Sequence, residues 1–194
     1  MRWAKTKLVQ MIKVVKAVAT DLKELQEIGV ASYLPHYTHL WKAGGVDWYM
    51  NRCFADAVLQ SALNDHNIEY YFVRAERQNI GFVKLVLQEP VPDSGIQNAL
   101  YLEKIYFVKE WTGKGVGREL IEFAIKRARE LKRDCIWLAA MDTSEKPIAA
   151  YEKAGFTVHS RTRLDFELMK ENYRGMVVMN FCLSTAEGEL IKLQ

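Results

Sequence analysis

The chain has 194 residues, 49% hydrophobic and 26% charged. At roughly 150 residues per domain, this reads as one domain, residues 1–194, able to bury a full core without disulfide or metal staples. The balance excludes disordered, collagen-like and coiled-coil classes, and no apolar run reaches the ~18 residues of a membrane span. A net charge of +3, spread evenly, argues against nucleic-acid and anionic-membrane partners.

Met1 to Ala19 starts basic and is rich in apolar residues, but Gln10, Lys13 and Lys16 interrupt any signal-peptide core. No small-x-small cleavage site follows, so the segment reads as mature sequence. The three cysteines, Cys53, Cys135 and Cys182, are widely spaced and form no CxxC. Each lies among apolar residues and is expected to be a buried free thiol, which points to a reducing, cytoplasmic compartment.

In chain order, Met11 to Lys16 is a short β-branched run and a first strand. Thr20 has the character of an N-cap, with Leu22, Leu25 and Ile28 behind it. Helical spacing runs with breaks to about Trp41, and Gly44-Gly45 ends it. Asp47 to Asn64 reads as a second helix. Glu69 to Ala75 and Ile80 to Gln88 are strands around a turn at Glu76 to Asn79, and Ala99 to Val108 is a third strand. Gly117 to Arg133 is an amphipathic helix, with Leu120, Ile121, Ala124, Ile125, Ala128 and Leu131 on one stripe. Cys135 to Ala140 is a buried strand. Pro147 to Ala154 is a short helix ended by Gly155. Strands from Phe156 and over Met176 to Leu183 close the chain.

The segment Ile105 to Arg118, IYFVKEWTGKGVGR, carries the chemistry. A strand runs into Gly113-x-Gly115-x-Gly117 and then into a helix. Glycines let backbone N–H groups turn toward an anion, and the helix N-terminus adds about half a positive charge. Lys114 and Arg118 add cations. The pattern is a pyrophosphate cradle, with a ligand-free glycine turn as the plain alternative. A P-loop fails because Gly113-Lys114 is followed by Gly115 rather than Ser or Thr. A dinucleotide fold has only partial support: the third glycine position is Leu120, Asp142 does end the next strand, and a single βαβ unit is clear.

Four histidines remain. His36 and His39 lie at i, i+3, but no third ligand accompanies them and Pro35 should break the helix nearby, so no metal is expected. His66 and His159 are isolated. Tyr33, Tyr37, Trp41, Trp48 and Tyr49 form either an aromatic substrate wall suited to alkylammonium groups or ordinary core.

The glycine segment resembles motif A of the GCN5-related N-acetyltransferase (GNAT) superfamily, Gln/Arg-x-x-Gly-x-Gly/Ala, through Gly115 and Gly117, with Thr112 where Gln or Arg is usual. Tyr151 to Phe156, YEKAGF, resembles the end of that family's motif B, with Ser144 where Asn is frequent and Pro147 in place of a small residue. The resemblance covers residues 69 to 183 by motif and the N-terminal third by layout. The runs LEKIYFV, IWL and YYFVRA…IGFVKLVL are closest in pattern to bacterial PaiA-type spermidine/spermine N-acetyltransferases.

The resemblance implies a mixed α/β fold: a central, mostly antiparallel sheet, splayed between its fourth and fifth strands and flanked by helices. Acetyl-CoA would enter the split as co-substrate, with no metal. Pantetheine would pair with Ile105, Tyr106 and Phe107 and take a hydrogen bond from Ser144. The pyrophosphate would rest on Gly113, Lys114, Gly115, Val116, Gly117 and Arg118. Tyr151 would be the general acid, and a backbone N–H near Phe107 the oxyanion donor. Glu103, two residues before Ile105 and so on the same strand face, would relay the acceptor's proton, with Asp142 as a lesser candidate. The implied reaction is direct acetyl transfer to a primary amine, a polyamine or other small molecule, with Glu103, Asp47 and Asp56 as anchors for a polycation. A protein N-terminal or lysine acetyltransferase and a non-catalytic acyl-CoA-binding regulatory module remain alternatives, and a homodimer is one assembly open to it.

Overall fold

The structure, a computed structural model, describes residues 12–183. Most of the segment with signal-peptide character, and Met11 of the expected first strand, lie outside them. The branched and aromatic runs form strands β1 (Lys13–Lys16), β2 (Ile68–Ala75), β3 (Gln78–Val86), β4 (Ala99–Phe107), β5 (Cys135–Met141), β6 (Thr157–Arg163) and β7 (Gly175–Cys182). They make one seven-stranded sheet in the order β1-β2-β3-β4-β5-β7-β6. Every pairing is antiparallel except β4 with β5, which is parallel. None of the described helices is long and apolar enough to cross a membrane.

Helices cover both faces. On one, α4 (Val116–Glu130) and α5 (Glu145–Lys153) pack over Val83, Leu85, Leu100, Leu102, Ile136 and Leu138. The stripe read from the sequence, Leu120, Ile121, Ala124, Ile125 and Ala128, is buried there. Each fully buried Leu or Ile contributes about 1.5–3 kcal/mol, so this face anchors α4 firmly. On the other face, α1 (Leu22–Tyr37), α2 (Gly45–Phe54) and α3 (Asp56–Asn64) bury Leu25, Ile28, Phe54 and Leu59 against Tyr70, Phe72 and Phe82. Gly29 permits this packing, because a Cβ there would collide with the Phe54 ring.

Local readings shift in four places. Thr20 is no N-cap: it lies in a 3-10 turn, Ala19–Asp21, where the Asp21 carboxylate accepts the Val18 N–H at 2.9 Å. Pro35 does not break α1, which runs on to Tyr37, because a proline this near the C-terminal end removes a single ladder bond. The helix expected over Asp47 to Asn64 is two, interrupted at Ala55 by an extended backbone (φ −61°, ψ 148°). The β2–β3 turn is only Glu76 and Arg77, both at positive φ (49° and 68°), the geometry of a tight hairpin turn.

Of the cysteines, Cys135 is buried, Cys53 half-buried and Cys182 exposed, against the expectation of three buried thiols. Cys135 and Cys182 face each other across β5 and β7. Burial, and then the neighbouring Cys182 thiol, push the Cys135 thiol up to about 12.

One buried ionic group ties the layers together. Glu69 on β2 is 4% exposed. It accepts from Arg127 of α4 at 2.8 and 2.9 Å, from Lys16 of β1 at 2.7 Å and from the Tyr71 hydroxyl at 2.6 Å. Burial opposes its charge, but these donors outweigh it and draw its carboxyl down to about 2. Because the folded value lies below the unfolded one, the contribution is whole above about pH 4.5 and is lost as the pH falls toward 2. Arg127→Met, which strips the strongest partner from a buried carboxylate, should lower unfolding stability at neutral pH by about 3 kcal/mol. Chemical denaturation at pH 7 and at pH 3 checks this: the difference from wild type should shrink at the lower pH.

Candidate active site

The parallel pairing of β4 with β5 covers only Ala99–Tyr101 against Cys135–Trp137. Beyond it, β4 stays with β3 as far as Phe107 opposite Gly81, and β5 stays with β7 as far as Met141 opposite Met176. The two strands therefore diverge and leave a V between them. Its floor is the Tyr101–Trp137 ring stack, 3.9 Å between centroids, with the Trp137 indole donating to the Glu89 carbonyl at 2.9 Å.

The open edge of β4 follows from strand alternation. Val108 N–H donates to Ile80 C=O at 2.8 Å, and Phe82 faces Tyr106. Tyr106 thus turns its backbone groups toward β3, while Ile105 and Phe107 turn theirs into the V. Of the three residues expected to pair with pantetheine, Ile105 and Phe107 lie on this free edge, whereas Tyr106 is paired with β3.

At the mouth of the V, Gly113 and Gly115 adopt positive φ (75° and 91°), and no atom comes within 4 Å of a Cβ built at either. Gly115 caps α4, whose first ladder bond runs from Glu119 N–H to Gly115 C=O at 3.2 Å. The N–H groups of Val116, Gly117 and Arg118 precede that bond and so lack helical partners. They converge with the helix dipole on open space, the donor set a pyrophosphate requires. Lys114 holds its ammonium 4.6 Å above the Trp111 ring beside this loop. Arg118 is exposed and paired with Glu122 at 2.7 Å, which uses part of its charge locally. Gly117 sits against the Phe107 ring, 3.8 Å from a built Cβ, so the loop rests on the end of β4.

The opposite lip is α5. Ser144 precedes it, half-buried, with its N–H on Met141 C=O at 2.9 Å and its hydroxyl free of any capping bond. Tyr151 packs its ring edge-on to Phe156, 5.9 Å between centroids. Burial, and then proximity to Tyr37 of α1, raise its hydroxyl far above the ordinary phenol range. Tyr151 is therefore a neutral proton donor, and its neighbourhood with Tyr37 spans the two faces of the sheet.

Glu103 departs from expectation. A β-bulge lies between Lys84 and Leu85 opposite β4, so that Lys84 pairs with Lys104 and Leu85 with Leu102, leaving Glu103 as the extra residue. Ile105 packs on the α4 face with Leu102, three positions away instead of two. Glu103 turns to the other face, where Lys84 Nζ lies 2.5 Å from one carboxylate oxygen and Lys104 pairs with the other. Burial opposes its charge, but Lys104 and Lys84 outweigh it and hold the carboxyl below the usual range. The shared-face argument for Glu103 is thereby corrected: one inserted residue inverts the strand's alternation.

The other carboxylates considered as site residues lie outside the V. Asp56 is exposed and accepts from Gln26 at 2.6 Å, Asp47 is exposed on the first turn of α2, and Asp142 is exposed with its N–H on Gly175 C=O.

The aromatic residues do assemble. Tyr33 stacks on Tyr49 at 4.6 Å and meets Tyr37 at a tilt at 4.8 Å, and Tyr37 meets Tyr106 at 5.4 Å. Tyr33 and Trp41 are core, whereas Tyr37, Trp48 and Tyr49 are half-buried on the α1–α2 side of the V. Arg52 stacks over Trp48 and Phe166 at 5.5 and 5.4 Å.

His36 and His39 diverge: His39 meets Tyr173 at 5.3 Å, while His36 Nε2 lies 3.2 Å from the Phe107 carbonyl oxygen. Sequence reasoning missed His36. The residues it joins are 71 positions apart, and only the docking of α1 on β4 brings them together. Among the described residues no cluster of three His, Cys, Asp or Glu is placed to hold a metal.

The acetyltransferase (GNAT) family model matches residues 29–156. An N-acetyltransferase of Lactobacillus delbrueckii subsp. lactis, described as uncharacterized and lying in the pepI 3′ region, is 28% identical over 88 residues, 45% of this chain and 51% of that protein. The chain thus spans about half the length of this curated relative. The PaiA N-acetyltransferase of Thermoplasma acidophilum, crystallised with coenzyme A, superposes with a TM-score of 0.70 at 19% identity, covering 89% of this chain and 99% of that one. A spermidine N-acetyltransferase SpeG chimera from Vibrio cholerae and hSSAT superposes with a TM-score of 0.65 at 17% identity, covering 88% and 95%. These two share the fold. With a family model spanning more than half of the sequence, the chain belongs to the acetyltransferase (GNAT) family.

Proposed function

We propose that the protein is an acetyl-CoA-dependent N-acetyltransferase that acylates the primary amine of a small molecule. One observation carries this reading: a glycine loop with free N–H groups, the unpaired edge of β4 and a neutral Tyr151 all border the same V. Acetyl-CoA would supply the activated acyl group as a thioester.

The chain's own residues then have separate tasks. Val116, Gly117 and Arg118 bind the pyrophosphate by backbone N–H, with Lys114 alongside. Ile105 and Phe107 hold the pantetheine arm along the strand edge, and Ser144 contributes a hydroxyl from the other lip. The Phe107 N–H faces the V and stabilises negative charge on the carbonyl oxygen as it develops. Tyr151 protonates the departing sulfur.

The likeness to PaiA and SpeG structures supports a small-amine acceptor, and spermidine is the first polyamine to assay. The charges beside the V do not add to that support, since the Glu103 carboxylate is already shared by two lysines.

Gly115→Asp should weaken coenzyme A binding at least tenfold, about 1.4 kcal/mol, by placing a carboxylate in the cradle. Gly115→Asn, equal in shape, tolerant of the left-handed conformation and neutral, should lose less. Isothermal calorimetry on the folded variants separates charge from backbone strain.

Tyr151→Phe keeps the ring and removes the proton. Its kcat should fall by about 10²–10⁴-fold, with coenzyme A affinity unchanged. Single-turnover rates, which exclude product release, give the direct comparison.

A further inference from the structure

We propose that His36 is the proton acceptor for the incoming amine, acting through Nδ1. The proposal rests on the acetyltransferase reading and adds a catalytic residue to it.

A primary ammonium titrates near 10 and must lose a proton before it can attack a thioester. Glu103 is poorly fitted for this. Both of its oxygens are engaged by Lys84 and Lys104, and the same ammonium groups hold its carboxyl below the ordinary range.

His36 has the opposite situation. It projects from α1, the helix that packs over β3 and β4, and is half-buried. Its Nε2 is 3.2 Å from the carbonyl oxygen of Phe107, the residue whose N–H faces the V. A carbonyl only accepts, so Nε2 carries the hydrogen in this contact and the neutral ring has its lone pair on Nδ1. The backbone that would hold the acyl group thus fixes the tautomer of a base beside it. Of the titratable groups around it, Tyr37 on α1 meets its ring, Tyr37 in turn meets Tyr106 on β4, and the 3-10 turn after β4, which packs on α1, carries Lys109 and Glu110. Across the V stands Tyr151, near Tyr37. Among the described residues, no carboxylate forms an ion pair with His36.

The proton balance closes. The ammonium gives one proton to Nδ1, and the free amine forms the C–N bond as the C–S bond breaks. Tyr151 gives its proton to the sulfur. The new amide nitrogen sheds its second proton, which restores Tyr151 through solvent, and the imidazolium returns its proton to solvent. The sum is ammonium plus thioester to amide, thiol and one released proton.

The test is the pH dependence of kcat/KM with spermidine and with a short monoamine, for wild type, His36→Gln and Glu103→Gln. Glutamine still donates to the Phe107 carbonyl but does not titrate. Dividing the wild-type profile by that of His36→Gln cancels the amine's own ionisation. The quotient should rise with pH to a plateau of about tenfold or more, with coenzyme A affinity unchanged by calorimetry. Added imidazole should partly restore His36→Ala. A quotient that is flat and within threefold, or an inflection abolished by Glu103→Gln instead, overturns the role of His36 and leaves the acetyltransferase reading intact. A chain that binds coenzyme A and acetylates no amine overturns both.

Discussion

β4 and β5 stay hydrogen-bonded over three residue pairs and then part. Each strand has a better partner on its far side, β3 for one and β7 for the other, and follows it. The consequence is an unsatisfied backbone edge inside an otherwise closed sheet, which is costly unless water or a ligand occupies it. A ligand with an amide-bearing arm answers that requirement, and the sheet holds the edge open without strain. The Tyr101–Trp137 stack at the floor limits how far the strands can close again.

The edge alone would bind weakly; the head of α4 makes it specific. α4 is fixed against the sheet by its apolar stripe and by the Arg127–Glu69 pair. The Arg127–Glu69 pair lies toward the far end of the helix, while the apolar stripe runs its whole length from Val116 to Ala128. Side chains buried against the sheet and N–H groups left open at the helix start are properties of a single element. The loop therefore keeps its aim while remaining accessible, the preorganisation that anion binding needs.

Two similar ionic groups play different parts. Glu69, with Arg127 and Lys16, joins three elements and stabilises the layers. Glu103, with Lys84 and Lys104, joins only neighbouring strands, at the bulge beside the V. From the sequence both are simply strand carboxylates. Their difference is one of packing: Glu69 lies under a helix, whereas Glu103 borders the open part of the sheet. The tyrosine-rich side of α1 and α2 completes that border, and His36 enters it with Nε2 on the Phe107 carbonyl at the end of β4.

The glycine loop, the α4 stripe, the strand IYF and the position of Tyr151 on a short helix were legible in the sequence. Each depends on residues within a turn or two of one another, where spacing maps directly onto geometry. The face of Glu103, the break at Ala55 and the continuation of α1 through Pro35 were not. A bulge adds one residue without any compositional mark, and helix ends are decided by what the flanking residues pack against. The contact between His36 and Phe107 was furthest from reach, because it joins positions 71 apart through the docking of a helix on a strand. By itself the sequence determined the local parts: a glycine loop ahead of an amphipathic helix, the strand that runs into it, and a tyrosine on a short helix further on. Only the tertiary structure decided which side chains share the V, because that depends on strand register and on the angle at which α1 crosses the sheet. Both are set by the whole core at once.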